Sequence, residues 1–196
     1  MEFREFPKMA RFSRDFIITE KIDGTNASVF INNYELEEFK DDKTIIAIKD
    51  GYTMRAGSRT KWITPSDDNA GFAKYVLANS DELFKLGEGH HFGEWWGQGI
   101  QRNYGLKEKK FSLFNVSRWN PENLPSCCNV VPILATGSFN DINQSVNNCI
   151  DILREQGSFA AKGFMKPEGI VIYHIAGNVG FKKTLEKDDT PKSLQK

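Results

Sequence analysis

One lysine stands where a short apolar stretch gives way to a turn. Lys21 lies in the motif Glu-Lys-Ile-Asp-Gly-Thr-Asn, residues 20–26, directly after the apolar residues 16–18. An ordinary lysine has a pKa of about 10.4, so an amine that is to attack phosphorus must first lose a proton. Asp23 opposes that loss, and activation would need further cations such as Lys182 or a metal ion. The motif alone fits a nucleophile and a solvated turn lysine equally well.

Two downstream segments contain residue types that could bind phosphate and sugar. Residues 53–62 carry Arg55, Arg59 and a lysine among small residues, and the planar fork of arginine suits phosphate oxygens. The same segment also fits a solvated basic loop. Glu94 interrupts an apolar, aromatic strand, where a buried carboxylate needs a partner such as a sugar hydroxyl or a metal ion.

Three later segments could complete such a site. Phe114, within residues 111–116, could belong to the core or stack on a base. Glu168 stands at the mouth of an apolar strand, and Lys182 and Lys183 end another strand. Each segment by itself is a weak indication of function, and the order of the segments along the chain carries more information.

The charge balance, the distribution of apolar residues and the cysteine content exclude several classes of protein. The 196 residues carry 26 basic and 26 acidic side chains, which excludes a polycationic coat but leaves room for a local basic groove. The charged N-terminus contains no signal peptide, and no apolar run is long enough for a transmembrane helix. Three cysteines without metal-ligand spacing indicate reduced thiols. We therefore expect a cytoplasmic protein without a membrane partner.

The hydrophobic pattern predicts an α+β fold in which antiparallel sheets are flanked by helices. Residues 16–19 and 27–31 are predicted to form a hairpin-like pair around the Asp-Gly turn. The other predicted elements are strands at 44–48, 90–96, 111–116 and 169–174, a turn at 49–52, a helix capped within 65–69 and running through 77, and a helix at 149–156 that ends at Gly157. A single domain is expected over 1–196, with a loose tail at 187–196.

The order of the motifs resembles the covalent nucleotidyltransferase superfamily of ligases and mRNA capping enzymes. Within it, the chain resembles the ATP-dependent RNA ligase family, specifically the adenylyltransferase domain of second-class phage RNA ligases. The motifs run from Lys-x-Asp-Gly-x-Asn through Ser-Arg, Gly-Glu, an aromatic strand and Glu-Gly-Ile-Val to Phe-Lys. The stretch 56–73 is similar to compact members of that family. The resemblance implies a nucleotide bound in a cleft between the antiparallel sheets.

The resemblance also implies a role for each matching residue. Lys21 would attack the α-phosphate of ATP, expel pyrophosphate and hold AMP. Lys182 would bind the α-phosphate and lower the pKa of the Lys21 amine. The implied nucleotide contacts are Glu20 at the adenine through its backbone, Asn26 and Arg59 at the phosphates, Glu94 at the ribose, Phe114 stacked on the adenine, and Lys182 with Lys183. Glu168 would support Mg²⁺ or Mn²⁺, which needs no protein cage.

Two departures from the family pattern bear on the substrate. Threonine stands at position 184, where the family has the second lysine of Lys-x-Lys, and Lys183 or Lys187 could substitute for it. A separate C-terminal domain that would engage RNA is not expected, so a protein partner could replace it. The implied activity is repair ligation of RNA 3′-hydroxyl and 5′-phosphate ends, including nicked duplexes. The alternatives are a DNA-nick ligase, for which Asn26 is the less usual residue, a GTP-using capping enzyme, and a non-catalytic module that binds nucleotide or RNA ends.

Overall fold

The computed structural model describes residues 3–33, 42–186 and 188 of the chain. The chain divides into two compact units. Unit 1 combines residues 1–21 with residues 132–196, and unit 2 contains residues 22–131. The predicted loose tail at 187–196 lies outside the described residues except for Asp188. That one domain spans 1–196 stays a prediction.

The elements bear out the predicted α+β class. The strands are β1 Asp15–Lys21, β2 Thr25–Asn33, β3 Ile45–Lys49, β4 Tyr52–Gly57, β5 Trp62–Ile63, β6 Gly89–Gly97, β7 Lys109–Leu113, β8 Cys128–Val130, β9 Ile133–Ser138, β10 Gly169–His174 and β11 Val179–Thr184. The α-helices are α1 Phe72–Ala78, α2 Ser80–Leu83 and α3 Ile142–Gln156. Among the described strands, pairing is antiparallel except between β7 and β8.

Unit 1 is a sheet in the order β11-β10-β1-β9 with α3 packed on one face. Period-two alternation buries Phe16 and Ile18 of β1 against Leu153 of α3, which explains why this stretch forms a half-buried strand. The helix begins at Ile142, earlier than predicted, because the polar residues before the apolar stripe also adopt helical geometry. Its predicted end at Gly157 is confirmed, and that glycine has a φ of 77°.

Unit 2 is a sheet in the order β3-β4-β2-β6-β7-β8, with β5 added beside β4. Its apolar core lies between one face of this sheet and the helices α1 and α2. Asp68 caps α1, because its carboxylate accepts the backbone N–H groups of Ala73 at 2.8 Å and Lys74 at 3.1 Å. The predicted role of an acidic residue within 65–69 is confirmed, but the helix itself begins later than predicted, at Phe72 with Gly71 as its N-cap residue.

The predicted hairpin of residues 16–19 and 27–31 is wrong. Strand β1 pairs with β9 and β10, whereas β2 pairs with β4 and β6. Gly24 does not serve a hairpin turn, which would need a positive φ; it is required by close approach. A Cβ at Gly24 would lie 2.5 Å from the Trp95 carbonyl oxygen and 2.7 Å from the Trp96 Cβ. The chain changes sheets at the motif, and a single sequence carries no local signal for that change.

The basic segment at 53–62 is only partly a loop. Residues 53–57 belong to β4, and Arg55 is 6% exposed, so the solvated-loop interpretation fails for this arginine. The tight turn predicted at 49–52 is confirmed, with Asp50 at a φ of 48° and Gly51 at 79° joining β3 to β4.

The buried histidine of β6 gives unit 2 a pH-dependent stability. His91 is buried and its Nε2 bonds to the Gly87 carbonyl at 2.9 Å. Burial lowers the pKa of His91, so the unfolded chain binds a proton more readily than the folded one. The free energy of unfolding should therefore fall as the pH drops below about 6.5, by at most about 1.4 kcal/mol per pH unit.

The variant His91→Gln keeps an amide donor for the Gly87 carbonyl but does not titrate. Its loss of unfolding free energy between about pH 7 and about pH 5 should be smaller than that of the unmodified protein. Denaturant unfolding at several pH values measures this, and Trp119, whose ring centroid is 6.1 Å from that of His91, provides a fluorescence signal. The other titrating groups are common to both proteins, so equal losses would contradict the prediction.

Candidate active site

Lys21 is the last residue of β1, and its amine is held by a buried carboxylate. The Lys21 Nζ lies 2.6 Å from the Glu168 Oε2. The lysine side chain is 21% exposed, whereas that of Glu168 is 3% exposed. Glu168 comes directly before β10, whose first residue, Gly169, is the Cα partner of Lys21. Strand pairing thus fixes the ion pair, and the amine retains access to solvent.

The strand register places further residues on the same sheet face as Lys21. Gly169 pairs with both Lys21 and Thr184, and Val171 pairs with Lys182. Since side chains alternate across a strand, Lys21, Lys182 and Thr184 share one face. That face therefore carries two lysines and a threonine, whose hydroxyl donates to the Glu186 carbonyl at 2.9 Å.

Lys183 projects to the other face of this sheet. It pairs with Ile170, which in turn pairs with Glu20, and both of these residues are buried. The Lys183 Nζ lies 3.6 Å from the Asp188 Oδ2. Lys187, the other predicted substitute for the second motif lysine, lies outside the described residues.

The Glu20 side chain binds the loop at residues 158–160, an interaction that the sequence did not predict. Its carboxylate accepts the Ser158 hydroxyl at 2.6 Å and the backbone N–H groups of Phe159 at 2.8 Å and Ala160 at 2.9 Å. Burial raises the pKa of Glu20, while the three donors act in the opposite direction. The side chain thus has a structural role within unit 1, beside the backbone contact to adenine that the resemblance implies.

Two residues of unit 2, also missed from the sequence, fix the turn of the lysine motif. The Tyr104 hydroxyl accepts the Asp23 N–H at 2.7 Å, and the Arg102 Nε lies 3.1 Å from the Asp23 Oδ2. Glu94 accepts the Gly24 N–H at 3.0 Å. Arg102 supplies a cation at Asp23, the carboxylate expected to oppose deprotonation of the motif lysine. The only sequence signal here is the run of Asn and Gly residues at 97–105, which favours irregular backbone.

The remaining predicted residues of unit 2 divide between one sheet face and a turn. Asn26 pairs with Glu94 across β2 and β6, so the two side chains lie side by side. Phe114 follows β7, is 40% exposed and donates its N–H to the Phe92 carbonyl at 3.0 Å, which puts it on the face of Glu94. Arg59 is exposed at the tip of the turn between β4 and β5, and none of the described residues hydrogen-bonds or ion-pairs with it.

A family comparison identifies the protein. The model of the RNA ligase family matches residues 14–187. The chain belongs to the RNA ligase family. The fold of this RNA ligase family member is similar to that of the Naegleria gruberi RNA ligase E227A mutant with ATP and Mn, with a TM-score of 0.57 and 22% sequence identity. The match covers 91% of this chain and 53% of that chain.

Two further solved structures share the fold of this RNA ligase family member. The Naegleria gruberi RNA ligase with PPi gives a TM-score of 0.53 at 20% identity, over 88% of this chain and 50% of that one. An archaeal ATP-dependent RNA ligase gives a TM-score of 0.54 at 18% identity, over 93% of this chain and 48% of that one. The chain thus spans about half the length of these solved ligases. No curated protein matches it.

The nine candidate residues of this RNA ligase family member come from both units. Unit 1 contributes Glu20, Lys21, Glu168, Lys182 and Lys183, and unit 2 contributes Asn26, Arg59, Glu94 and Phe114. Their roles at a nucleotide stay predictions. Across the described ranges, there is no helix with the length and apolar character needed to cross a bilayer.

The donors of this RNA ligase family member fit a metal ion that is held mainly by phosphate and water oxygens. Within residues 3–33, 42–186 and 188, no group of three or more His, Cys, Asp or Glu side chains could hold a metal ion. Glu168 offers a carboxylate beside Lys21. Mg²⁺ uses one or two carboxylates together with phosphate and water oxygens, so this carboxylate suits such a complex.

Proposed function

We propose that this chain is an ATP-dependent RNA ligase that joins a 3′-hydroxyl to a 5′-phosphate through a covalent lysyl-AMP. The observation that carries the proposal is the position of Lys21. Its partly exposed amine is paired with the buried Glu168 and shares a sheet face with Lys182. A lysine that served only as surface charge would not need a buried carboxylate at the end of a strand.

The first step is an in-line displacement at phosphorus. The Lys21 nitrogen bonds to the α-phosphorus of ATP as the bond to the pyrophosphate oxygen breaks, and Lys182 neutralises charge on the transferred phosphoryl group. To attack, the amine must leave the Glu168 Oε2, which lies 2.6 Å away in the resting protein. AMP then passes to the RNA 5′-phosphate, and attack by the 3′-hydroxyl joins the ends and releases AMP.

The other candidates bind the parts of ATP. Glu94 holds the ribose hydroxyls, Phe114 stacks on the adenine, and Asn26 and Arg59 contact phosphates. Lys183 would have to reach the nucleotide from the opposite sheet face. We therefore assign the second motif position to the Thr184 hydroxyl, which shares the face of Lys21.

Glu168 is the residue that would hold Mg²⁺ or Mn²⁺ together with the phosphates. When bound, the metal ion would neutralise phosphate charge. Glu168 would then have two partners at different stages, the Lys21 amine in the resting protein and the metal ion in the loaded one. Its burial, at 2% exposure, keeps the carboxylate in place for both.

Covalent labelling tests this function. The protein is incubated with Mg²⁺ and α-labelled ATP, GTP or NAD, and denaturing gels are scored for bound label. We expect label from ATP alone, and its release when RNA with a 5′-phosphate and a 3′-hydroxyl is added, with a joined RNA as product. Release by nicked DNA alone would favour a DNA-nick ligase, and no label from any nucleotide would favour a non-catalytic binding module.

Replacing Phe114 should weaken the use of ATP. A stacked base contributes about 1–3 kcal/mol, so Phe114→Ala should raise the ATP concentration needed for half-maximal labelling by about 5- to 150-fold. The side chain is 40% exposed, so the fold should survive.

Phe92→Ala provides the matched comparison for Phe114. Phe92 is 48% exposed and its carbonyl accepts the Phe114 N–H. We expect a smaller effect at Phe92. If Phe92→Ala raises the ATP requirement and Phe114→Ala does not, the stacking role belongs to Phe92.

A further inference from the structure

An exposed cluster of aromatic rings lies on the sheet face of unit 2 opposite its core. The centroid of the Trp62 ring lies 5.6 Å from the centroid of the Phe30 ring and 5.7 Å from the centroid of the His90 ring. The His90 and Phe92 ring centroids are 4.0 Å apart. Trp62 is 39% exposed and Phe92 is 48% exposed. The indole lies over Gly57, where a Cβ would come within 3.4 Å of the ring. These rings are therefore held in place without being buried.

An open depression of about 500 Å³ adjoins the indole ring. It has the size of a small-molecule site and is lined by Phe30, Asn32, Asp42, Thr44, Arg55 and Trp62. Two walls are aromatic and the other side chains are polar. Such a combination suits a flat heterocycle with hydrogen-bonding edges.

The polar floor of the depression is built around Arg55. The guanidinium donates to the Asn32 Oδ1 at 2.9 Å and to the Thr44 Oγ1 at 3.1 Å, and it lies 2.9 Å from the Asp42 Oδ2. Hydrogen bonds from Thr44 and Arg55 hold the pKa of Asp42 at about 2, so the pair is charged but balanced. A balanced floor favours the neutral edge of a base over a phosphate.

Two cations lie close to Trp62 in the chain. Arg59 and Lys61 are exposed in the turn that precedes Trp62. Lys61 is paired with Asp67 at 2.6 Å, whereas Arg59 has no partner among the described residues. Exposed aromatic rings combined with cations are the means by which proteins bind single-stranded nucleic acid.

The ring cluster shares its sheet face with proposed nucleotide residues. Ser28 pairs with both Phe92 and Gly57, and Gly57 pairs with Trp62. Asn26 and Glu94 lie two positions from Ser28 and Phe92, so alternation puts them on the same face. A strand lying over Trp62 could therefore continue along this face toward Asn26.

We propose that Trp62 stacks on a base of the RNA strand near the ligation junction and that the depression beside it holds the edge of that base. This inference rests on the proposed RNA ligase function and names a contact to its substrate. It assigns the site to a nucleotide within RNA.

Tryptophan fluorescence tests the contact without any catalysis. The chain has four tryptophans, and Trp95, Trp96 and Trp119 are 3%, 1% and 7% exposed, so quenching by RNA reports mainly on Trp62. The unmodified protein is titrated with a 5′-phosphorylated oligoribonucleotide in the absence of ATP. We expect quenching that saturates, and we expect Trp62→Phe to lose most of it.

Labelling and joining assays then separate this inference from the proposed function. Trp62→Ala should take up AMP from ATP normally but require about 5- to 150-fold more RNA for half-maximal joining. Leu77→Ala, which alters an exposed residue of α1 behind the opposite sheet face, should match the unmodified protein.

Several outcomes would overturn the assignment of Trp62. Quenching that persists in Trp62→Phe, quenching by ATP alone at the same site, or an unchanged RNA requirement in Trp62→Ala would each do so. If Trp62→Ala has an unchanged RNA requirement and takes up AMP normally, the proposed function stands and only the role of Trp62 is wrong. A protein that takes up no AMP fails the proposed function first.

Discussion

Lys21→Ala should take up no AMP at all. The proposed intermediate joins AMP to the Lys21 nitrogen, so removing that nitrogen removes the reaction rather than slowing it. Labelled ATP with Mg²⁺, followed by a denaturing gel, measures the result. Label that survives on the variant would place the nucleophile elsewhere.

Controls separate loss of the nucleophile from loss of the fold. Lys21→Ala leaves the buried Glu168 without the Lys21 amine, and such a change can cost about 3–5 kcal/mol of stability. Lys21→Arg restores a cation for that carboxylate but has no nucleophilic amine, so it should fold well and still take up no label. Lys162→Ala, which removes an exposed lysine of unit 1, should label normally.

Glu20→Ala should unfold unit 1 more easily by about 3 kcal/mol or more. The substitution leaves the Ser158 hydroxyl and the N–H groups of Phe159 and Ala160 without their common acceptor. Hydrogen bonds to a charged group contribute about 1.5–3 kcal/mol each, and partial access of water to the loop reduces the sum. Because Glu20 is 1% exposed, the cavity adds to the loss.

Denaturant unfolding followed by circular dichroism measures the effect of Glu20→Ala. Fluorescence is the wrong signal, since all four tryptophans belong to unit 2 and Glu20 belongs to unit 1. Glu20→Gln keeps one oxygen acceptor and should lose less. An unfolding midpoint in Glu20→Ala equal to that of the unmodified protein would show that the clamp contributes nothing.

The sequence predicted the reactive strand and the end of the long helix because their signals are local. The apolar run at residues 16–18 predicts a strand, and Gly157 marks the helix end. The family membership follows from motif order, which does not require the fold. These features depend on residues within one turn or one strand of each other.

Long-range pairing explains what sequence reasoning missed. The error at residues 16–31 arose because Asp-Gly is a common hairpin turn, whereas Gly24 is needed where Trp95 and Trp96 come close. The clamp from Glu20 to Ser158 joins residues 138 positions apart. Arg102 and Tyr104 fix the motif turn from outside every recognised motif. No local pattern encodes such partners.

Strand alternation could have clarified the end of β11 from the sequence itself. In Phe-Lys-Lys-Thr, Lys182 and Thr184 must share a face and Lys183 must take the other. Only the register with β10 and β1 then shows which face carries Lys21. Thr184, and not Lys183, therefore shares the sheet face of Lys21, while the role of Lys183 at a nucleotide stays a prediction.

The pairing of β1 with late strands also sets the order in which a newly made chain matures. Lys21 and Glu168 are 147 residues apart, and within the described part of the chain the sheet partners of β1 are β9 and β10. All of unit 2 is synthesised before those partners are made. Because the strand with the reactive lysine must wait for them, we expect translation products that stop before β10 to be unable to take up AMP.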